Sequence, residues 1–170
     1  MKILLVGNHT CGNRGDGAIL RGLIDSMKSA RSDLEIDVIS RYPTSSGYLL
    51  QQDIKQDALY LHNSKSGKGL VGSFKRKVAN RLMPDIMMAH LGKGGIFKSF
   101  AVPPHLKAFT DSLAKYDAII QVGGSFFVDL YGVTQFDHAL CALMAKKPIY
   151  LIGHSVGPFQ NPRVNALANF

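Results

Sequence analysis

Three glycine-rich stretches hold the residue types with which this sequence could do chemistry. The first, Cys11-Gly12-Asn13-Arg14-Gly15-Asp16-Gly17-Ala18, runs into a segment with helical spacing. Unpaired backbone N–H groups and the helix dipole favour a phosphate or carboxylate at such a start, and glycine lets the backbone approach closely. The competing reading is a tight strand–helix turn with Asp16 as N-cap. Nucleotide fingerprints fit poorly. Gly12, Gly15 and Gly17 reverse the spacing of G-x-G-x-x-G, and Ser40-Arg41 stand where an acidic residue would close the second strand. Ala18 follows Gly17 where a phosphate loop needs Lys and then Ser or Thr.

The second stretch, Gly123-Gly124-Ser125-Phe126-Phe127-Val128-Asp129-Leu130-Tyr131-Gly132, sets one carboxylate among aromatic residues. Desolvation would raise the pKa of Asp129 and suit it to act as a general base for a sugar hydroxyl. A helix-cap or turn carboxylate is the alternative. The third, Gly153-His154-Ser155-Val156-Gly157-Pro158-Phe159, contains the letters of the G-x-S-x-G nucleophile elbow. Pro158 opposes the helix an elbow requires, and Asp117, Asp129 and Asp137 all precede the serine, against that family's chain order. A serine hydrolase is not expected. His138 falls on a predicted helix as a packed or solvent-facing histidine. His62, His90 and His105 lack ligand spacing, so no metal site and no cofactor are expected.

Strand ends must position these stretches. Lys2–Gly7 reads as a buried strand, Ala18–Met27 as an amphipathic helix and Leu34–Ile39 as a second strand. That order is a βαβ unit and implies a parallel sheet with a right-handed crossover. Further on, the pattern predicts a helical turn at Tyr48–Gln52, a short strand at Ala58–Leu61 and a basic helix at Phe74–Leu82, interrupted near Pro84. Gly92–Pro104 reads as loop. Helices at Leu106–Lys115 and Gln135–Lys146 alternate with strands at Asp117–Val122, closed by Gly123–Ser125, and Pro148–Ile152, closed by Gly153. A helical pattern from Asn161 to Phe170 then breaks off, as in a truncated product or an excised domain.

The 170 residues are 46% apolar and 19% charged, a composition that excludes disorder, collagen and coiled coil. The first hydrophobic run is too short for a signal peptide, and no stretch is long enough to span a membrane. Cys11 and Cys141, far apart in sequence, read as reduced thiols. The net charge of +8 is local: ten Lys/Arg between residues 61 and 115 face only Asp85 and Asp111, and the flanking thirds are neutral. The six tyrosines form no clustered stacking pattern and no RNA-binding signature is present, so the charge does not imply nucleic acid.

Taken together, Gly7–Leu20, Val122–Gly132 and Gly153–Phe159 resemble the polysaccharide pyruvyl transferase family. The likeness is greatest to the branch serving colanic acid (slime exopolysaccharide) synthesis in enteric bacteria. The resemblance implies an α/β fold, a Rossmann-like parallel sheet with flanking helices, as the N-terminal half of a GT-B-like two-domain fold. It implies that phosphoenolpyruvate donates a carboxyethylidene unit to two sugar hydroxyls. Carried over by motif, Asp129, His154 and Asp16 would be catalytic, and Asn13, Arg14, Gly15, Gly123, Gly124, Ser125 and Ser155 would bind substrate. The family commonly has a third glycine where Ser125 stands and often Gln where His154 stands. Its members are about twice this length, so residues 1–170 are expected to form a single domain that lacks the half supplying most contacts to phosphoenolpyruvate and is inactive alone.

Two alternatives stand beside this reading: a stand-alone sugar- or anion-binding module, and a glycosyltransferase-like or sugar-kinase-like enzyme, against which the failed nucleotide motifs count. Lys75, Arg76, Lys77 and Arg81 flank the apolar stripe Phe74, Val78 and Leu82. They read either as a solvated helix face or as a surface on anionic lipid, where a lipid-linked oligosaccharide acceptor would meet a cytoplasmic enzyme at the inner face of the plasma membrane.

Overall fold

The computed structural model describes residues 1–8, 13–65, 78 and 81–170, with backbone alone at Asn8, Ser64, Lys65, Ser125 and Phe126. Alternating apolar side chains in strand β1 (Lys2–Asn8) serve two opposite cores. Ile3 and Leu5 face one and Leu4 and Val6 the other, and all four are buried. A strand apolar on both faces belongs inside a parallel sheet with helices on each side, and β1 is its centre. It pairs in parallel with β2 (Glu35–Ser40) and with β4 (Ala118–Phe127). β3 (Lys55–Gln56) and β5 (Ile149–Val156) complete the order β3-β2-β1-β4-β5. The α/β Rossmann-like expectation holds.

Helices α1 (Arg14–Ala30) and α2 (Pro43–Leu50) precede β2 and β3. Leu20 and Ile24 of α1 and Leu50 of α2 pack with Ile3, Leu5, Val38, Ile120 and Val122 in the first core. The second core is larger. It is filled from α3 (Ala58–Lys65), α4 (helical residues 81–88), α5 (Pro104–Ser112), α6 (Asp137–Met144) and α7 (Pro162–Ala168). None of the helices is long and apolar enough to cross a membrane, among the described residues. Cys141, a free thiol in the second core, is pushed up to about 12 by burial.

Several elements depart from the sequence pattern, each for a local reason. α1 begins four residues before Ala18, because Asn13 Oδ1 accepts the Gly15 N–H at 3.0 Å. Asn13, not Asp16, is the N-cap, and such a cap contributes about 1 kcal/mol. Gly15 and Gly17 therefore lie inside the first turns. Ala58–Leu61 is helix and not strand, since Asp57 Oδ1 accepts from the N–H groups of Leu59 (3.0 Å) and Tyr60 (3.2 Å) and starts α3. Residues 81–88 stay helical through Pro84. The burial of Met83, Ile86, Met87 and Met88 offsets a proline cost of about 3 kcal/mol.

Neither β4 nor β5 stops at its glycines. Gly124 pairs with His154 and Phe127 with Val156, so both strands run on past the expected ends. Glycine permits this. A Cβ on Gly123 would lie 2.3 Å from the Gly153 carbonyl oxygen, and Gly153 has a φ of +70°. Gly123→Ala is expected to destabilise the chain by at least about 2 kcal/mol, because the obstacle is backbone and cannot rotate away. Gly22→Ala, in α1 with nothing within 4 Å of the added Cβ, should stabilise by about 1 kcal/mol. Urea unfolding of the two variants measures both signs.

Candidate functional site

In a parallel sheet every strand ends on the same edge, and this order switches direction between β1 and β4. Ligands bind outside the carboxyl ends at such a switch point. The described parts of the three glycine-rich stretches, residues 13–18, 123–132 and 153–159, lie along that edge. Gly7, with φ +82°, closes the end of β1 so tightly that a Cβ would come within 3.0 Å of the buried Gln121 side chain. Asn13, Arg14 and Gly15 are exposed at the start of α1. The half-buried Asp16 carboxyl is raised above the usual range by burial, against a lowering hydrogen bond from Asn13.

The structure gives the other expected residues particular surroundings. Asp129 Oδ2 accepts from the N–H groups of Gln160 (2.6 Å) and Asn161 (3.2 Å), which lead into α7, and Oδ1 is buried without a partner. The turn-carboxylate reading describes this arrangement, since Asp129 ties the end of β5 to the segment after β4. Gln135 organises that segment by donating to the carbonyls of Val128, at 3.1 Å, and Gly132. His154 Nε2 lies 3.2 Å from the Gln121 carbonyl, which can only accept, so Nε2 carries the proton. Burial lowers the His154 pKa, with the Gln121 carbonyl opposing, and its ring packs edge-on to Phe127. Ser155 is exposed on a strand rather than on a strand–helix elbow, which removes the structural basis for a serine nucleophile. Gly123 and Gly124 form the β4 side of the close strand pair, and Ser125 follows them in β4. Arg81 is exposed on α4; Lys75, Arg76 and Lys77 lie outside the described residues.

A cluster that the sequence patterns did not bring together lies on the same edge, at the ends of β2 and β3. A cavity of about 250 Å³ is lined by Arg41, Asp57, Leu59, Tyr60, Asn63, Thr134, Asp137 and His138. Arg41 follows β2 directly. Gln56 donates to the carbonyls of Ser40, Arg41 and Asp57, fixing the backbone there. The Arg41 guanidinium lies 4.8 Å from the Tyr60 ring centre, a cation–π contact. His138, in the first turn of α6, places Nε2 3.3 Å from Asp57 Oδ2, an ion-pair distance without the alignment of a hydrogen bond. Burial would raise the Asp57 carboxyl, but the charge of His138 and the N–H groups of Tyr60 and Leu59 hold it below the usual range. From sequence His138 reads as a packed or solvent-facing histidine, and a buried acid partner 81 positions away leaves no local spacing to detect.

Asp137 completes the cluster. Its side chain is buried, hydrogen-bonded to Asn63, and Oδ1 has no partner. Burial pushes its carboxyl up to about 7, with Asp57 adding to the rise and His138 and Asn63 opposing it. A raised carboxyl contributes stability that is fully present below the unfolded value near 3.8 and is lost as pH climbs through about 7. Asp137→Asn, which cannot ionise, is therefore expected to gain stability relative to the parent as pH rises from about 4 to about 8. Urea unfolding of both proteins across that window tests this, and a constant difference contradicts it.

Comparison with known proteins gives the arrangement a family. No solved structure matches the chain. Over all 170 residues it is 66% identical to the amylovoran biosynthesis protein AmsJ of Erwinia amylovora, of which it covers 40%. The chain thus spans about two fifths of the length of that curated relative. Residues 13–168 match the profile described as polysaccharide pyruvyl transferase, from the Asn13 cap through α7. The chain belongs to the polysaccharide pyruvyl transferase family.

Proposed function

We propose that this chain forms the acceptor side of an enzyme that builds a pyruvate ketal on a sugar of an exopolysaccharide. Phosphoenolpyruvate is the donor, and an oligosaccharide of the colanic acid or amylovoran type is the acceptor. The observation that carries the reading is the family match over residues 13–168, with the described parts of the three glycine-rich stretches on one sheet edge at the switch between β1 and β4. In the reaction, protonation of the donor's methylene carbon makes its C2 electrophilic. One sugar hydroxyl adds and gives up its proton, the C2–O bond to phosphate breaks, and the second hydroxyl adds and gives up its own. Of the two hydroxyl protons, the balance places one on the new methyl group and one on the released phosphate. The chemistry calls for an acid, a base and cations for the donor's carboxylate and phosphate. Asp16, Asp129 and His154 are the acid–base candidates on the edge, and Arg14 is a cation beside the start of α1.

β5 supports a second half packing against this one. Tyr150, Leu151, Ile152 and Val156 are all roughly half exposed on an outer strand, although parallel strands are ordinarily covered on both faces. With that half supplying most of the donor contacts, residues 1–170 alone should form no ketal. Phosphate release and the ketal methyl signal in proton NMR are the readouts, and product from the isolated chain would refute the division of labour. Separate titrations with phosphoenolpyruvate, a sugar nucleotide and an acceptor oligosaccharide should show binding of the oligosaccharide. Preference for the sugar nucleotide would instead favour a glycosyltransferase-like enzyme.

The acceptor is proposed to be lipid-linked and met at a cytoplasmic membrane surface, through Lys75, Arg76, Lys77 and Arg81. Changing these four to Gln should weaken sedimentation with liposomes containing anionic lipid, and more so at low salt. Unchanged sedimentation rejects the membrane contact without touching the transferase reading.

A further inference from the structure

We infer that the cavity between Arg41, Asp57, Asn63, Asp137 and His138 is the subsite for the sugar ring that receives the ketal, with His138 the base that takes a hydroxyl proton and Asp57 its positioning residue. This rests on the acceptor-side reading above. It assigns that reading to residues outside the three motif stretches.

Size and chemistry both limit the occupant. At about 250 Å³ the cavity falls below the roughly 300–1,000 Å³ of clefts that take drug-sized ligands, which suits one pyranose ring rather than a nucleotide. Its polar groups alternate in character. Arg41 and Asn63 can donate, Asp57 is a paired carboxylate, and Asp137 offers a buried oxygen, Oδ1, with no protein partner. An unpartnered buried oxygen costs on the order of 1–3 kcal/mol, and a ligand hydroxyl reaching it would recover part of that. A phosphate is a poor occupant, because two carboxyl side chains line the wall beside a single arginine. A polyhydroxyl ring can donate to the carboxyls and accept from Arg41 and Asn63.

The Asp57–His138 pair has the form needed to accept a proton. Asp57 is anchored twice by backbone N–H groups, so its other oxygen is held toward His138 Nε2. A proton on Nε2 facing that carboxylate leaves Nδ1 with its lone pair, and Asp57 then stabilises the cation formed when Nδ1 takes the hydroxyl proton. His154 is built differently. Its Nε2 faces a backbone carbonyl, which offers an imidazolium no counter-charge. The O–H bond to the sugar breaks and an N–H bond to His138 forms, while the oxygen pair makes the new C–O bond to the donor's C2.

Arg41 also lines a second, shallower groove of about 750 Å³, with Tyr42, Pro43, Thr44, Ser45, Tyr48, Leu49 and Gln56. Tyr48 is 77% exposed there. A flat aromatic face beside hydroxyl-bearing side chains suits the next sugar of the acceptor, continuous with the ring in the pocket.

The test is carried out on the 170-residue chain by amide chemical-shift mapping with methyl galactopyranoside, which presents hydroxyl pairs of both ketal-forming kinds. Shifts are expected at Leu59, Tyr60 and Asn63, and His138→Gln, Arg41→Gln and Asp137→Asn should each weaken binding by about tenfold or more. The exposed Lys107→Gln should bind as the parent does. Asp57→Asn removes the ion pair while its amide oxygen can still cap α3, so its binding is read alongside a retained amide spectrum, with His138→Gln as the independent variant. In an enzyme competent for transfer, His138→Gln should lower kcat far more than it raises KM, and ketal formation should lose the ionisation of a histidine from its pH profile. Shifts confined to residues 123–132 and 153–159 would overturn the pocket and leave the acceptor reading intact. Full affinity in folded His138→Gln and Arg41→Gln would overturn it as well, and so would an absence of binding to the parent chain. Transfer from phosphoenolpyruvate, measured separately, decides the function itself.

Discussion

A carboxylate held out of water, that of Asp57, is the interaction on which this edge of the molecule depends. Left alone, a buried charge of this kind costs several kcal/mol, so it persists only with partners. Here the partners come from three elements. The N–H groups of Leu59 and Tyr60 come from α3, the His138 ring from α6, and the positive field from Arg41 at the end of β2. The same contacts that stabilise the charge therefore set where α3 begins and how α6 enters. Removing either side of the Asp57–His138 pair would strand the other, so the pair specifies an arrangement more than it adds net stability.

The other end of the edge is built from an opposite device, the absence of side chains. Gly123 and Gly153 bring β4 and β5 so close that a methyl group at Gly123 would occupy the space of a backbone oxygen. That contact carries both strands past their glycines, so that Phe127 still reaches the second core while Ser155 and Val156 stand exposed near the switch point. Gln121, buried with Oε1 unpartnered, lies between the Gly7 turn and His154. The edge thus has a polar, side-chain-rich pocket at the β2–β3 end and close backbone packing at the β4–β5 end.

What could be read from sequence follows the same division. The parallel sheet was legible because β1 and β4 are short apolar runs leading into glycines, and because β2, alternating Glu35, Ile36, Asp37 and Val38, completes a βαβ unit with β1. The glycine stretches were legible as a group, and the resemblance they carry is confirmed by the family match over residues 13–168. Element limits at 14, 58, 127 and 156 were not, because each is set by one contact: the Asn13 cap, the Asp57 cap and the Gly123–Gly153 approach. The pocket was hidden for a stronger reason. Arg41, Asp57, Asn63 and His138 share no motif, and only the strand order places the ends of β2 and β3 beside the start of α6. Asp57 in particular reads as one more charge in a neutral third, since nothing local marks a carboxylate that will be buried.

The outer strand β5 links the two ends of this argument. Its unpaired edge and half-exposed Tyr150, Leu151, Ile152 and Val156 form the kind of apolar strip on which further protein adds. Such an addition extends the sheet sideways, across the strand direction, and so leaves the carboxyl ends of all five strands open. The direction matters, because a partner on β5 would stand next to the Gly153–Phe159 segment and away from β2 and β3, which lie beyond β1 and β4 in the sheet. Under the proposed division of labour, a donor supplied from that side enters over the ends of β4 and β5 and extends across the switch point to the sugar held near Arg41 and His138. The groove along Tyr42 and Tyr48, which shares Arg41 with the pocket, would hold the rest of an oligosaccharide on the side away from that donor and keep the reacting ring in place.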